Sequence, residues 1–205
     1  MKLDGMPVFY VIVSMIMYLC VFSIIFSVIM NFIMVRIKND SIKYNGICPV
    51  EALTMTIFCT GVFLLVKFRI GLIELDDGFV NRSIIVIGLA FLITGAVSNI
   101  IARINLGTNW SNSMKIYENQ KIITNGMYSI VRHPLFFSLI LVLTGTSIIY
   151  KNYASLSATY LIFVPAMAYR AKKEEEVLVK EFPEYIEYAE RVPMLFPFKF
   201  KRRKA

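Results

Sequence analysis

The chain has 205 residues, of which 57% are hydrophobic and only 18% charged, against about 25% charged residues in an ordinary soluble domain. A soluble globule of this length would leave much of that apolar surface in water, and the apolar residues fall in blocks of bilayer-spanning length with weak amphipathic periodicity. Composition therefore excludes a soluble globular enzyme and points to a single membrane-embedded domain over residues 1–205.

The first apolar block covers 8–35. It is far longer than the hydrophobic region of a signal peptide and lacks a small-residue cleavage site, so it is expected to stay attached as a helix. Four further blocks follow at 50–68, 83–104, 134–150 and 153–169. At about 1.5 Å of rise per residue each can cross a hydrocarbon core of roughly 30 Å. The expected fold is all-α and polytopic, with five transmembrane helices. Only Lys151 and Asn152 separate the last two, which predicts an antiparallel C-terminal hairpin. Its outer ends, near Arg132-His133-Pro134 and near Arg170, then meet at one membrane surface.

Basic residues decide which surface that is, because cytoplasmic loops retain Lys and Arg. With the C-terminus inside, 17 of the 22 basic residues are cytoplasmic and the N-terminus is outside. The net charge of +8 comes largely from the tail Lys199-Phe200-Lys201-Arg202-Arg203-Lys204. Beside a membrane, that cluster reads as a partner for anionic lipid rather than nucleic acid. Cys20, Cys48 and Cys59 are too widely spaced for a CxxC or a zinc knuckle, and the sole histidine stands elsewhere, so no metal site is expected. The cysteines read as reduced apolar fillers.

Most polar residues outside the tail lie in two stretches, 105–133 and 170–197, which the hairpin brings together as the walls of a cytoplasmic pocket. The second continues the last helix to Phe182, turns at Pro183 and adds a short amphipathic piece carrying Tyr185 and Tyr188. The motifs in these stretches are Leu106-Gly107 with Trp110-Ser111, then Gly126 and Tyr128, then Arg132-His133-Pro134-Leu135-Phe136. Downstream come Arg170 with Glu174-Glu175 and Leu178, then Glu184-Tyr185, Tyr188 and Arg191-Val192-Pro193. In this order and spacing the region resembles the isoprenylcysteine carboxyl methyltransferase family and its prokaryotic relatives, which are similar in turn to the phospholipid N-methyltransferases. The first 100 residues match only as generic membrane helices.

The resemblance implies S-adenosylmethionine as cofactor and a prenylated or otherwise lipidic acceptor. It implies that Gln120, Lys121, Ile122, Ile123, Tyr128, His133, Pro134, Leu135 and Phe136 line the cofactor pocket, that Glu174 closes it, and that Arg170 lies at the acceptor. Phe136 stands where the family commonly has tyrosine, Gln120 replaces a frequent histidine, and the turn Phe182-Pro183-Glu184-Tyr185 is one residue shorter.

The chemistry of the residues agrees. Arg170 and Glu174 are spaced i, i+4 and share a helix face. The facing hairpin end presents His133, followed by a proline suited to the first turn of a helix. A carboxylate acceptor with a pKa of about 3.5 is ionised at neutral pH and needs no general base, whereas an arginine can orient it. Glu174 suits an ammonium group, and Tyr128 and Phe136 suit an adenine ring. None of the ten glycines forms a Gly-x-Gly, which sets a Rossmann site aside. Two other functions compete with carboxyl methylation: N-methylation of a phospholipid amine, and a non-catalytic adaptor that binds anionic lipid.

Overall fold

The computed structural model describes residues 8–38, 42–46, 49–107, 114–117 and 122–198, with side chains described over 8–35, 56–107 and 122–198. The described chain is helical: α1 (Val8–Lys38), α2 (Pro49–Lys67), α3 (Phe79–Leu106), a 3-10 turn (Gly126–Ser129), α4 (Pro134–Ile149), α5 (Tyr153–Ala158), α6 (Val164–Glu181) and α7 (Tyr185–Arg191). The exception is a two-stranded antiparallel ribbon of β1 (Ile42–Gly46) and β2 (Met114–Tyr117). The ribbon ties the α1–α2 connection to the α3–α4 connection, a pairing of two loops that no apolar periodicity announces.

α5 and α6 form one continuous rod, joined by a π-helical turn over Thr159–Phe163 in which the Val164 N–H reaches back to the Thr159 carbonyl. Pro165 follows directly, and a proline inside a helix removes one backbone donor and crowds the preceding turn. The wide turn absorbs that crowding.

α1 over Val8–Val35 and α3 over Phe79–Leu106 are each long and apolar enough to cross a membrane, and Thr56–Lys67 and Pro134–Ile149 are shorter apolar helices. α3 and α4 are antiparallel and almost in backbone contact. A Cβ on Gly145 would lie 2.5 Å from the Leu92 nitrogen and 2.6 Å from the Gly88 carbonyl oxygen, and one on Gly95 would lie 2.8 Å from the Ser138 carbonyl oxygen. Small residues let two helices approach until their backbones touch, the usual route to tight packing where lipid rather than water surrounds them. α1 docks on α3 through Val13, against Ile85, Leu89, Leu92 and Ile149. Ile140, Phe163 and Met167 join α4 to the α5–α6 rod, with Phe58 of α2 and Phe196 packed against them.

The hairpin turn is tight, as its two-residue spacer requires. Lys151 adopts φ of 49°, and the Asn152 side chain caps α5 by accepting from the Ser155 N–H at 2.8 Å while donating to the Ile70 carbonyl at 2.9 Å. On the same side of the molecule, Lys151 Nζ donates to Asn81, Asn81 to Tyr10, and Tyr10 to Asp77, while Arg82 forks onto Asp77. Hydrogen bonding to Arg82 first, then to Tyr10, holds the Asp77 carboxyl below the usual range. At the opposite end the chain gathers a different set of charges.

Candidate functional site

α4 begins at Pro134, which fits a first helical turn because it has no N–H to leave unsatisfied, and His133 occupies the N-cap. Its side chain makes no capping bond, because the ring points at α6. His133 Nε2 lies 3.0 Å from Glu175 Oε1 and Nδ1 lies 3.6 Å from Glu174 Oε2. The ring stacks on Phe136 with centroids 5.5 Å apart, and the Arg170 guanidinium lies 5.2 Å from the centroid of that same phenyl ring. α6 reaches this place by laying Met167 and Ala171, both buried, against its neighbours, which turns 170, 174 and 175 toward the start of α4.

Arg132 locks the arrangement. Its Nε and Nη2 donate to the two oxygens of Glu175 at 2.7 and 2.9 Å, and Nη1 donates to the carbonyls of Ala189 and Val192 at the end of α7. The backbone N–H groups of Arg132 and His133 donate to the carbonyls of Pro193 and Met194. Burial alone raises the Glu175 carboxyl, but hydrogen bonds from His133 and Arg132, together with the charges behind them, overcome it and hold the group at about 2. The Tyr185 hydroxyl donates to Glu175 at 3.4 Å and the Tyr188 hydroxyl to the Tyr128 carbonyl at 2.6 Å. Burial pushes the Tyr188 hydroxyl up to about 12, so it stays a donor at any physiological pH.

Tyr128 sits in the 3-10 turn, buried. Burial, then the negative charge of Glu174, push its hydroxyl pKa up, and the cation of Arg103 pulls it down. The turn is held by Gly126, with φ of +59°, and by Asn105, whose Oδ1 accepts from the Met127 N–H at 3.0 Å.

Of the residues singled out from sequence, His133, Phe136, Arg170 and Glu174 are in mutual contact or one neighbour apart, and Tyr128 stands within electrostatic reach of Glu174. Pro134 is fully buried beneath them. Leu135 is half-buried, and its carbonyl accepts from the Ser138 hydroxyl. Ile122 and Ile123 are half-buried in the irregular stretch before the turn. Gln120 and Lys121 lie outside the described residues, as do Trp110, Cys48 and the 199–204 tail. Cys20 and Cys59 are free thiols. Arg132, Glu175, Tyr185 and Tyr188 stood in the sequence only as members of motifs, with nothing to show that they bond one another, and Arg103 carried no signal beyond a charge at the end of an apolar run.

Residues 86–180 match the isoprenylcysteine carboxyl methyltransferase (ICMT) family. The chain is 33% identical over 114 residues to "Protein-S-isoprenylcysteine O-methyltransferase B" of Arabidopsis thaliana, a match covering 54% of this chain and 58% of that protein. It is 35% identical over 82 residues to "Cobalt-zinc-cadmium resistance protein CzcN" of Cupriavidus metallidurans, covering 39% and 37%. The chain thus spans little more than half the length of the curated methyltransferase it matches. Among solved structures it is similar to the eukaryotic intramembrane Ras methyltransferase ICMT, with a TM-score of 0.55 and 23% identity over 76% of this chain and 55% of that one, a likeness of fold. The matched segment runs from within α3 to the last turn of α6, so the similarity of this chain to the isoprenylcysteine carboxyl methyltransferase family covers the part of the fold that holds α4, the Arg132-His133-Pro134 corner and the glutamates of α6.

Proposed function

We propose that the chain is an S-adenosylmethionine-dependent methyltransferase, held in the membrane by five transmembrane helices, that methylates the carboxylate of a prenylcysteine-like or other lipidic acceptor at the cytoplasmic face. The observation that carries this reading is the meeting of Glu174 and Arg170, on one face of α6, with His133 and Phe136 at the start of α4. A carboxylate, a permanent cation and a flat aromatic ring then stand within one helical turn of each other.

The donor set fits the cofactor. Glu174 is the more open of the two glutamates, 34% exposed at 3.6 Å from the imidazole, whereas Glu175 is 16% exposed and engaged by the Arg132 fork. Glu174 would hold the cofactor's ammonium group, His133 would fix Glu174, and Tyr128 and Phe136 would face the adenine. S-adenosylmethionine supplies an activated methyl group, whose transfer is an in-line displacement that rewards alignment and exclusion of water. Arg170 would neutralise and orient the acceptor carboxylate in a site of low dielectric, where a paired charge counts for more than in water. The same cation would repel a protonated amine, which favours carboxyl over amine methylation. The acceptor would enter sideways from the bilayer, and the basic residues favour an outside N-terminus and a tail resting on anionic lipid.

The test is incubation of membranes containing the protein with radiolabelled S-adenosylmethionine and a prenylated cysteine analogue. The expected product releases its label as methanol in mild alkali, as a methyl ester must. Label in alkali-stable phospholipid would replace the carboxylate acceptor with an amine.

A further inference from the structure

At the end of the molecule opposite the proposed cofactor site, α3 begins with an exposed face. Phe79, Ser83, Val86 and Ile87 are spaced i, i+4, i+7 and i+8 and share one side of the helix. Ile85, Gly88, Leu89 and Leu92 point the other way, into the packing with α4 and α1. Together with Gly78 and Arg82, the exposed residues line an open groove of about 700 Å³. Phe79 is 87% exposed, and Val86 and Ile87 are exposed as well. The Ser83 hydroxyl donates to the Phe79 carbonyl of its own helix at 2.8 Å, so the wall it joins is apolar.

Arg82 supplies a cation at the groove. Its Nε and Nη2 donate to Asp77 at 3.1 and 3.0 Å, and its guanidinium lies 5.7 Å from the centroid of the Phe9 ring. Held on two sides, the side chain is still half-exposed, and among the described residues its Nη1 makes no hydrogen bond. The relay beside it runs from Lys151 through Asn81 and Tyr10 to Asp77. With Arg82 it contains two cations and one anion, which leaves one positive charge for a ligand to balance.

Depth narrows the ligand. Arg103, in the last turn of α3, turns inward, its Nε donating to Asn99 Oδ1 at 2.9 Å. Arg82 and Arg103 are about 30 Å apart along the helix, the thickness of a hydrocarbon core. Arg82 therefore stands at the level of lipid head groups, with Val86 and Ile87 lying from it toward the bilayer centre.

We propose that this groove binds a glycerophospholipid in the leaflet opposite the cofactor site, its phosphate on Arg82 and an acyl chain along Val86 and Ile87. A phosphodiester brings one negative charge and an acceptor oxygen for Nη1, and the chain covers the apolar wall. Free phosphate would leave that wall bare, and a neutral diacylglycerol would leave the charge unmet. The inference rests on the membrane reading and is independent of methyl transfer.

The full chain in maltoside micelles is irradiated with increasing amounts of phosphatidylglycerol that carries a diazirine on one acyl chain, and labelled peptides are mapped by mass spectrometry. Label is expected over 79–87 and should saturate. Mapping by peptide separates it from lipid gathered by the 199–204 tail. Arg82→Gln should cut labelling of 79–87 about fivefold, and Arg82→Lys should keep most of it. Val86→Trp fills the groove without touching the Arg82 fork and should abolish the label, so the test stands even if loss of Arg82 unsettles the fold. Unlabelled phosphatidylglycerol should displace the probe, whereas diacylglycerol with the same chains and glycerol phosphate without chains should not. Wild-type labelling in Arg82→Gln, equal displacement by diacylglycerol, or no label over 79–87 overturns the inference.

Discussion

Arg132 and Glu175 meet as a two-bonded fork, Nε to Oε1 at 2.7 Å and Nη2 to Oε2 at 2.9 Å, while the third guanidinium nitrogen holds the carbonyls that end α7. Planar, two-point contact of this kind is what arginine offers and lysine does not. One side chain therefore fastens the start of α4, the middle of α6 and the end of α7, and it leaves the adjacent Glu174 to other work.

The fork predicts how stability depends on pH. Glu175 ionises at about 2 in the folded protein against an ordinary 4.5, so the unfolded chain takes up its proton first as pH falls. The stabilisation is complete above about 4.5 and is lost as pH drops toward about 2, amounting to roughly 3 kcal/mol. Thermal unfolding of wild-type protein should be level from neutral pH to about 5 and decline below that. Glu175→Gln should be less stable at neutral pH, with a shallower acid decline. Equal acid slopes in the two proteins would show that Glu175 is not the group titrating.

The turn bearing Tyr128 depends on Gly126. With φ of +59°, a Cβ there would also lie 2.2 Å from Asn105 Oδ1. Gly126→Ala is expected to cost about 1–3 kcal/mol, the usual range for strained backbone. Asn105→Ala in the same chain relieves the clash but not the strain and leaves the Met127 N–H without its side-chain acceptor, so the double variant should recover little of the loss in a melting experiment.

Binding and turnover should separate between Glu174 and Arg170 of α6. Glu174→Ala is expected to weaken S-adenosylmethionine binding by about 1–3 kcal/mol, the cost of removing a partner from a largely dehydrated group. Arg170→Ala should leave that binding nearly intact and lower turnover by roughly two orders of magnitude, by analogy with loss of one transition-state contact. His133→Ala should weaken the cofactor and lower the melting temperature, because the ring also bonds Glu175. Calorimetry beside the methanol-release assay checks all three. Unchanged cofactor affinity in Glu174→Ala would remove it from the cofactor site.

The charge asymmetry predicts that protease added to right-side-out vesicles spares the 199–204 tail, since 17 of 22 basic residues are cytoplasmic in that orientation. Cleavage of the tail would invert the topology and move the proposed cofactor site to the wrong side of the membrane.

Much of this architecture is legible in the sequence because the bilayer imposes it. Uninterrupted apolar runs have few alternatives to helix where backbone groups find no water, and two residues between two helices leave room only for a hairpin, so the encounter of the His133 corner with the Arg170 helix follows from chain order. Which of two adjacent glutamates would be engaged did not follow. Glu174 and Glu175 are identical in chemistry and about 100° apart around α6, and only the packing of Met167 and Ala171 turns one into the Arg132 fork and leaves the other more open. Arg103 is a parallel case. The sequence places a charge at the end of an apolar helix, where the side chain is free to turn outward to water or inward to a partner. Asn99 on its own helix and Ser138 on α4 decide the matter, and Ser138 comes within 2.7 Å of Asn99 only because the glycines of α3 and α4 let the two backbones touch.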